Sequence, residues 1–226
     1  MIPPTSIDGT DISGATIDGQ DVEEITVDGD VVFSAGPPPG TIDDFEDGNL
    51  NEYSGSIGIV QSSEVLFGSF AFEQTGNGNM ISTSGLPNYP QSGNTINLYF
   101  KEDSPSDTGG LAFLFGVQNT SQFYAVNALA QYNFIGIFKD GVGGGSQISP
   151  NGSATFGTDW IEFEIVWNSP NIDFTVFSVN QTTGARTGTL GTVSATDSTY
   201  TSGGIGFGAN SYAGSGYGYF DKITKS

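Results

Sequence analysis

The chain has 226 residues, of which 25 are acidic and only 5 are basic, and it contains neither Cys nor His. Its formal charge of −20 disfavours binding to a nucleic-acid backbone or to an anionic membrane surface, because both would repel it. Without Cys there is no disulfide framework or thiolate metal site, and without His the commonest general base and metal ligand are absent. No apolar run reaches the ~18 residues of a membrane span, so insertion into a membrane is not expected. The negative charge likewise predicts no nucleic-acid partner.

Residues 6–35 repeat one ten-residue phrase, SIDGTDISGA, TIDGQDVEEI and TVDGDVVFSA. Asp-Gly between short apolar runs is a strong two-residue hairpin signal, since Gly tolerates positive φ at low cost. The repeats therefore predict three or four short strands over residues 1–36. Because so few apolar residues make such a ladder marginal alone, it is expected to dock, either on a larger assembly or on the rest of its own chain.

Three consecutive prolines and a glycine at 37–40 predict a short, stiff linker. After the linker, residues 41–226 carry alternating apolar and polar runs separated by Gly, Pro, Asn and Asp turns. In WIEFEIVW, for example, Ile, Phe and Trp side chains share one face and two glutamates share the other. The clearest strand candidates are residues 95–102, 111–117, 122–129, 133–141, 160–167, 172–179, 203–209 and 218–224. About ten such strands predict an all-β, antiparallel two-sheet sandwich.

The order of three phrases, TDWIEFEIVW, NIDFTVFSV and GGIGFGANSYAGSGYGYFDKITKS, resembles the concanavalin A-like (laminin G-like) jelly-roll domains. TIDDFEDGNLNEYSG also resembles the first strand of such domains and of related carbohydrate-binding modules, with Tyr53 where Trp is usual. The resemblance implies a concanavalin-like jelly roll over residues 41–226, behind the small N-terminal β-hairpin module.

The N-terminal repeats are similar to segments of structural proteins of tailed viruses, including those that infect haloarchaea. This resemblance implies a virion component. The opening MIPPTSIDG agrees with it, since it has neither the basic nor the apolar region of a secretory signal. The acidic, Lys-poor composition agrees with a virus of a halophilic host, because concentrated salt would screen the repulsion between the negative charges. The Debye length is about 3 Å at 1 M salt and about 10 Å at 0.1 M. An ordinary acidic extracellular domain is the alternative source.

The resemblance to carbohydrate-binding sandwiches also implies a structural Ca²⁺ between the first and last strands. The matching positions are Glu46, Asp47 and Asp221. Carboxylate oxygens suit Ca²⁺. The alternative is a solvated acidic turn in a protein rich in acids.

Glu162 and Glu164 lie two residues apart on one strand face, with Cα atoms ~6.7 Å apart. Paired carboxylates can perform glycoside hydrolysis, but the E-x-D-x-x-E pattern of concanavalin-like hydrolases lacks its middle Asp and third acid here. Two solvent-facing acids on an amphipathic strand, and no enzyme, are therefore expected.

Tyr and Asn side chains in loops are good glycan contacts, because a ring stacks on the apolar face of a sugar while an amide binds its hydroxyls. The candidates flank the middle hairpin and the Gly-rich segment before the last strand. They are Tyr124, Asn127, Tyr132, Asn133, Tyr212 and Tyr217.

Together these patterns predict a virion surface protein, a head decoration or a tail fibre, of a tailed virus with a halophilic host. Residues 1–36 would bind other virion proteins, and the sandwich would attach to host-surface glycans or glycoproteins. A homo-oligomer is expected, because clustering raises the avidity of a weak lectin. The first alternative is a secreted or cell-surface carbohydrate-binding module, hence extracellular, and the second is a concanavalin-like glycosidase.

Overall fold

The computed structural model describes residues 40–104, 110–142, 146–209 and 218–226 in full, and the backbone of short strands within residues 6–34. The chain divides into two units, residues 1–39 and 40–226. Within the described residues, no helix has the length and apolar character needed to cross a membrane.

The first unit contains three separate two-stranded antiparallel hairpins. In each, the innermost pair leaves two residues between the strands: Ile7 pairs with Thr10, Ile17 with Gln20 and Val27 with Asp30. Every decapeptide thus forms its own hairpin, which gives more strands than the three or four predicted. The predicted Asp-Gly turns themselves lie outside the described residues. The strands are β1 (Ser6–Ile7), β2 (Thr10–Asp11), β3 (Thr16–Ile17), β4 (Gln20–Asp21), β5 (Glu24–Val27) and β6 (Asp30–Ser34).

The second unit is a sandwich of two antiparallel sheets, which confirms the predicted all-β jelly-roll class. One sheet has the order β18-β17-β16-β11-β20-β9-β8, with β7 also paired to β20, and the other has the order β10-β19-β12-β13-β14-β15. One short 3₁₀ turn, Ala130–Tyr132, follows β13. In chain order the strands are β7 (Thr41–Asp43), β8 (Gly58–Gln61), β9 (Ala71–Gln74), β10 (Gly78–Ser82), β11 (Asn94–Glu102), β12 (Leu111–Asn119), β13 (Gln122–Leu129), β14 (Phe134–Lys139), β15 (Gly152–Ser153), β16 (Ile161–Asn168), β17 (Asn171–Val179), β18 (Arg186–Thr196), β19 (Gly204–Ala209) and β20 (Gly218–Lys225).

Aromatic rings from both sheets fill the core between them. Phe207 of β19 stacks on Phe72 of β9 with ring centroids 4.2 Å apart, and it lies 5.4 Å from Phe220 of β20. Phe100 and Phe163, on adjacent strands of the larger sheet, are 5.0 Å apart. All five rings are almost completely buried. Contacts between aromatic rings of the two sheets stabilise the sandwich, in addition to the free energy gained by burying their apolar surface.

Glycine alternates with apolar residues along β19, and this lets β10 approach closely. The apolar positions of GGIGFGA, Ile205, Phe207 and Ala209, are buried. On the opposite face, a Cβ built on Gly206 would lie only 2.5 Å from the carbonyl oxygen of Met80 in β10. The β10–β19 pairing therefore requires glycine at this position.

The first strand of the sandwich pairs with the last, since Asp43 of β7 lies opposite Ile223 of β20. The Asp43 carboxylate accepts a 2.6 Å hydrogen bond from the Tyr53 hydroxyl and a 2.8 Å bond from the Phe45 N–H. Burial raises the pKa of Asp43 to about 7, against the lowering effect of these two bonds.

Replacing Gly206 with Ala should lower the free energy of unfolding by about 1–3 kcal/mol, because the added methyl overpacks the β10–β19 contact. Gly157→Ala is the matched control, since a Cβ there meets nothing within 4 Å, and it should change stability by less than about 0.5 kcal/mol. Urea unfolding followed by circular dichroism measures both. Equal stability of the two variants would contradict the close approach.

The raised pKa of Asp43 predicts that the stability of the fold depends on pH. Its pKa in the folded protein, about 7, lies above the ordinary value of 3.8 for an aspartate, so the folded state holds the proton more tightly than the unfolded state between these two pH values. The free energy of unfolding should therefore fall as pH rises from about 4 to about 7. Asp43→Asn should remove the part of this fall in unfolding free energy that comes from Asp43. The part that comes from repulsion among the other acidic groups should remain. Parallel pH profiles of wild type and variant in urea unfolding would show that Asp43 does not titrate in this range.

Candidate functional site

The solvent face of the larger sheet is organised around Arg186, the first residue of β18. Its Nε and Nη2 donate to the two oxygens of Glu162 at 2.7 and 2.8 Å. Nη2 also lies 2.8 Å from a Glu164 oxygen and 2.9 Å from the Asn97 side-chain oxygen. The guanidinium carbon lies 3.9 Å from the centroid of the Phe177 ring. These five residues come from four adjacent strands. We call the solvent-facing surface that they and their neighbours on these strands form the Arg186 face.

Strand register places polar side chains of this face in a row. Asn97, Glu164, Thr175 and Thr192 lie opposite one another across β11, β16, β17 and β18. The Thr175 and Thr192 hydroxyls are 3.1 Å apart. With adjacent strands about 4.8 Å apart, the row spans roughly 14 Å. It presents an amide, a carboxylate and two hydroxyls in line.

Aromatic side chains border the row. Tyr99 of β11 lies opposite Glu162 in the register, and its ring meets the Phe67 ring edge-on at 4.7 Å. Burial raises the pKa of Tyr99 to about 12, so its hydroxyl stays protonated. A neutral hydroxyl and a half-buried ring therefore stand beside the charged cluster.

One guanidinium is shared by the two carboxylates of the Arg186 face. Only 7% of the Glu162 side chain and 24% of the Glu164 side chain is exposed, against 37% for Arg186. Hydrogen bonds to Glu162 hold the pKa of Arg186 above its usual range. A guanidinium carries five N–H donors, and its Nη1 has no hydrogen-bond partner among the described residues. The cluster is thus a rigid array with donors left for a ligand.

The expectation that Glu162 and Glu164 are two solvent-facing acids needs correction. They do lie on the face opposite the core residues of β16, as the alternation predicts. However, Glu162 is buried and both glutamates are paired with Arg186. The ion pairs form because β18, which the sequence patterns did not reveal, brings Arg186 across β17 to them.

The sandwich fold is shared with proteins of known structure. No protein-family model and no curated protein sequence matches the chain. The carbohydrate-binding module CBM66 from Bacillus subtilis superposes with a TM-score of 0.54 and 12% identity, covering 79% of this chain and 97% of that one. The GH43 protein BlXynB from Bacillus licheniformis gives a TM-score of 0.51 and 11% identity over 85% of this chain, but only 40% of its own length.

These similarities show the fold alone, a jelly-roll β-sandwich, in agreement with the fold that the concanavalin A-like resemblance of residues 41–226 implies. They give no support to the resemblance of residues 6–35 to virion proteins. Of the functions considered from the sequence, the alternative of a carbohydrate-binding module fits the fold better than the virion component does. The halophilic source and the homo-oligomer stay predictions.

Two of the predicted glycan contacts, Tyr124 and Asn127, are core residues of β13. Tyr124 is 0% exposed and Asn127 is 2% exposed. The Tyr124 hydroxyl donates a 2.6 Å hydrogen bond to Asp197, and its ring packs edge-on against Trp167. Neither side chain is accessible to a sugar in this structure, because β13 is buried on both of its faces.

Two of the other four predicted contacts, Tyr132 and Asn133, lie in the connection between β13 and β14. Tyr132 is 58% exposed and precedes Asn133, an exposed residue that ends the 3₁₀ turn with a left-handed φ of 48°. Tyr212 and Tyr217 lie outside the described residues. Tyr132 and Asn133 are not part of the Arg186 face, and their role as contacts stays a prediction.

Two of the three predicted calcium ligands fasten one loop, residues 62–70, to the sandwich. Asp221 of β20 accepts hydrogen bonds from the Leu66 and Phe67 N–H groups at 2.8 and 2.9 Å. Glu46 accepts from the Ser69 and Phe70 N–H groups at 2.8 and 3.0 Å. These carboxylates therefore bind backbone donors of the loop that links β8 and β9.

The third predicted ligand, Asp47, is exposed and binds the nearby Asn49 side chain. Glu46, Asp47 and Asp221 do not form a group of three able to hold a metal ion, and the other described residues contain no such group. One observation fits a cation: the Asp221 Oδ1 is buried without a hydrogen-bond partner. Burial also raises the pKa of Asp221 to about 6. Calcium stays a prediction in which Glu46 and Asp221 would supply the carboxylate oxygens.

The calcium prediction can be tested by thermal unfolding at constant ionic strength. If Asp221 binds the ion, millimolar Ca²⁺ should raise the midpoint relative to EGTA, because a ligand of the folded state stabilises it. Asp221→Asn should abolish the rise, and Asp47→Asn tests the contribution of the third ligand. The same midpoint in Ca²⁺ and EGTA for the wild-type protein would remove the site.

Proposed function

We propose that residues 40–226 form a non-catalytic carbohydrate-binding module that recognises glycans through the Arg186 face. The observation that carries this proposal is the row of Asn97, Glu164, Thr175 and Thr192, braced by Arg186. Sugar hydroxyls both donate and accept, so they match a surface that alternates amide, carboxylate, hydroxyl and guanidinium groups.

The aromatic rings of the same face would supply the second half of sugar recognition. Phe177 lies beneath the guanidinium, and Tyr99 stands in the neighbouring row. Rings at the edge of a polar surface offer an apolar platform with little loss of side-chain entropy. The lectin-like fold and its similarity to a carbohydrate-binding module support the same function.

Catalysis is not part of the proposal. Glycoside hydrolysis needs one carboxyl that delivers a proton and a second that acts as base or nucleophile. Here both glutamates of β16 are engaged by one guanidinium, at 2.7 Å and 2.8 Å. Neither is free for the two separate roles, and the similarity to BlXynB covers less than half of that protein.

An array of neutral oligosaccharides, followed by isothermal titration with the best ligand, tests the function. Arg186→Met should weaken binding by more than about tenfold, because hydrogen bonds from a charged donor are worth about 1.5–3 kcal/mol. Thr175→Val and Thr192→Val leave the shape of the face intact and should each weaken binding by about 3- to 10-fold. Thr158→Val, an exposed threonine in a loop outside the face, is the matched control.

Two results would contradict this assignment. If the wild-type protein binds no glycan, the function itself is wrong. If Arg186→Met, Thr175→Val and Thr192→Val all bind as the wild type does, the module binds sugars elsewhere than on the Arg186 face. Near-ultraviolet circular dichroism of each variant confirms that losses reflect the site rather than the fold.

We propose in addition that residues 1–36 bind other virion proteins, which would place the protein on a virion. Residues 1–36 carry acidic residues but none of the five basic ones, which are Lys101, Lys139, Arg186, Lys222 and Lys225. A partner would therefore need to tolerate or match a negative surface. An extracellular module without a virion is the alternative location.

Cutting the chain within residues 37–39 tests the role of the hairpins. The sandwich should keep its near-ultraviolet circular dichroism, whereas light scattering should show that it no longer enters the assembly formed by the full chain. A truncated protein that assembles like the full chain would contradict an anchoring role for the hairpins.

A further inference from the structure

The sandwich also has a pocket away from the Arg186 face. It is a cavity of about 370 Å³ where β12 ends and β19 begins, closed on one side by the loop between β10 and β11. The volume lies within the range of about 300–1,000 Å³ typical of small-molecule sites. None of its lining residues belongs to the Arg186 face. We call it the end pocket.

The lining of the end pocket is uncharged, although the chain has a formal charge of −20. The described residues that line it are hydroxyl, amide, aromatic, apolar and glycine residues. A cationic ligand would find no carboxylate there, and an anionic ligand would find no cation and would face the negative field of the whole protein. The lining therefore selects a neutral ligand with many hydroxyl groups.

Tyr89 provides a fixed ring at the wall of the pocket. Its hydroxyl is 2.7 Å from the Ser82 hydroxyl, and its carbonyl oxygen accepts a 2.9 Å hydrogen bond from the Lys225 amine. Both ends of the residue are therefore held. A half-buried ring that cannot turn away loses little entropy when a sugar stacks on it.

Two amide side chains can bind hydroxyl groups in the pocket. The Gln118 Nε2 donates to the carbonyl oxygens of Gly116 and Ser202 at 3.1 and 2.7 Å. This occupies both of its donors and leaves its Oε1 as an acceptor within the described part of the chain. Gln91, on the opposite wall, is exposed and pairs through its backbone with Ser202.

Two glycines in the pocket lining pack their backbone tightly against neighbouring strands. Gly203 has a φ of +150°, and a Cβ built on it would lie 2.6 Å from the carbonyl carbon of Gly116. A Cβ on Gly204 would lie 1.7 Å from the carbonyl oxygen of Ser82. The floor is thus bare backbone, which lets a ligand approach peptide groups closely.

We propose that the end pocket binds one or two sugar units of a neutral glycan, as a second site independent of the Arg186 face. The Tyr89 ring stacks on the sugar, and Gln91, Gln118 and Ser202 bind its hydroxyls. The proposal goes beyond the proposed function, since it assigns a different site and restricts its ligand to uncharged sugars.

The experiment measures binding of single sugars to the full chain by saturation-transfer NMR and calorimetry. The probes are the methyl glycosides of glucose, galactose, mannose, xylose and fructose, with methyl glucuronide as the charged comparison. Tyr89→Ala removes the ring, and Thr83→Trp fills the pocket from an exposed position. Gln122→Ala, an exposed amide outside the pocket, is the matched control, and Arg186→Met reports on the other site.

At least one neutral glycoside should bind, and the glucuronide should not. Thr83→Trp and Tyr89→Ala should each weaken that binding by about tenfold or more, whereas Gln122→Ala should leave it unchanged. Wild-type affinity in Thr83→Trp, or no binding of any neutral glycoside, would overturn the proposal. Loss in Arg186→Met with retention in Thr83→Trp would leave the proposed function standing and remove the end pocket alone.

Discussion

One ion cluster organises the open face of the larger sheet. Glu162 and Glu164 lie about 6.7 Å apart along a single strand, and one of them is almost buried. Without a cation between them, two carboxylates in this position would repel each other and pay for their lost hydration. Arg186 bridges both and also reaches Asn97. That bridge therefore holds three side chains of the face, Glu162, Glu164 and Asn97, in place.

The cluster in turn depends on strand register. Side chains alternate between the two faces of a strand, so a slip of one residue would exchange the core and surface positions of β16. The buried rings of Phe163 and Phe174 make such a slip costly, because they fill the layer between the sheets. The aromatic core thus fixes the order of the polar row on the opposite side. The order of the polar row and the stability of the sandwich therefore share one geometric cause.

The sequence predicts the fold well where strands are long and alternate. The segment 122–129 coincides with β13, and the predicted strands at 160–167 and 172–179 differ from β16 and β17 by one residue at one or both ends. Strands β8, β9 and β10 were missed because they have only four or five residues. Strand β18 was missed because its Gly, Thr and Ser residues carry almost no apolar alternation.

The site was harder to predict than the fold, because it is assembled from several strands. Arg186 is the chain's single arginine and stands just after a turn-like TTGA, a composition that should have drawn attention to it. No spacing along the chain shows that it lies beside Glu162. The prediction that Tyr124 is an accessible glycan contact failed for a related reason. Alternation predicts on which face of a strand a side chain lies, but it does not show that both faces of that strand are buried. Burial of that kind follows from tertiary packing alone.

The scarcity of basic residues has a practical consequence for handling the protein. Lys139 contacts Asp197, Lys101 contacts Glu64, Lys225 binds a backbone carbonyl and Lys222 lies over the Phe67 ring. Reagents that acylate amines would consequently attack groups that hold the sandwich together, so sensor surfaces and fluorescent dyes are better attached through the abundant carboxylates remote from the Arg186 face.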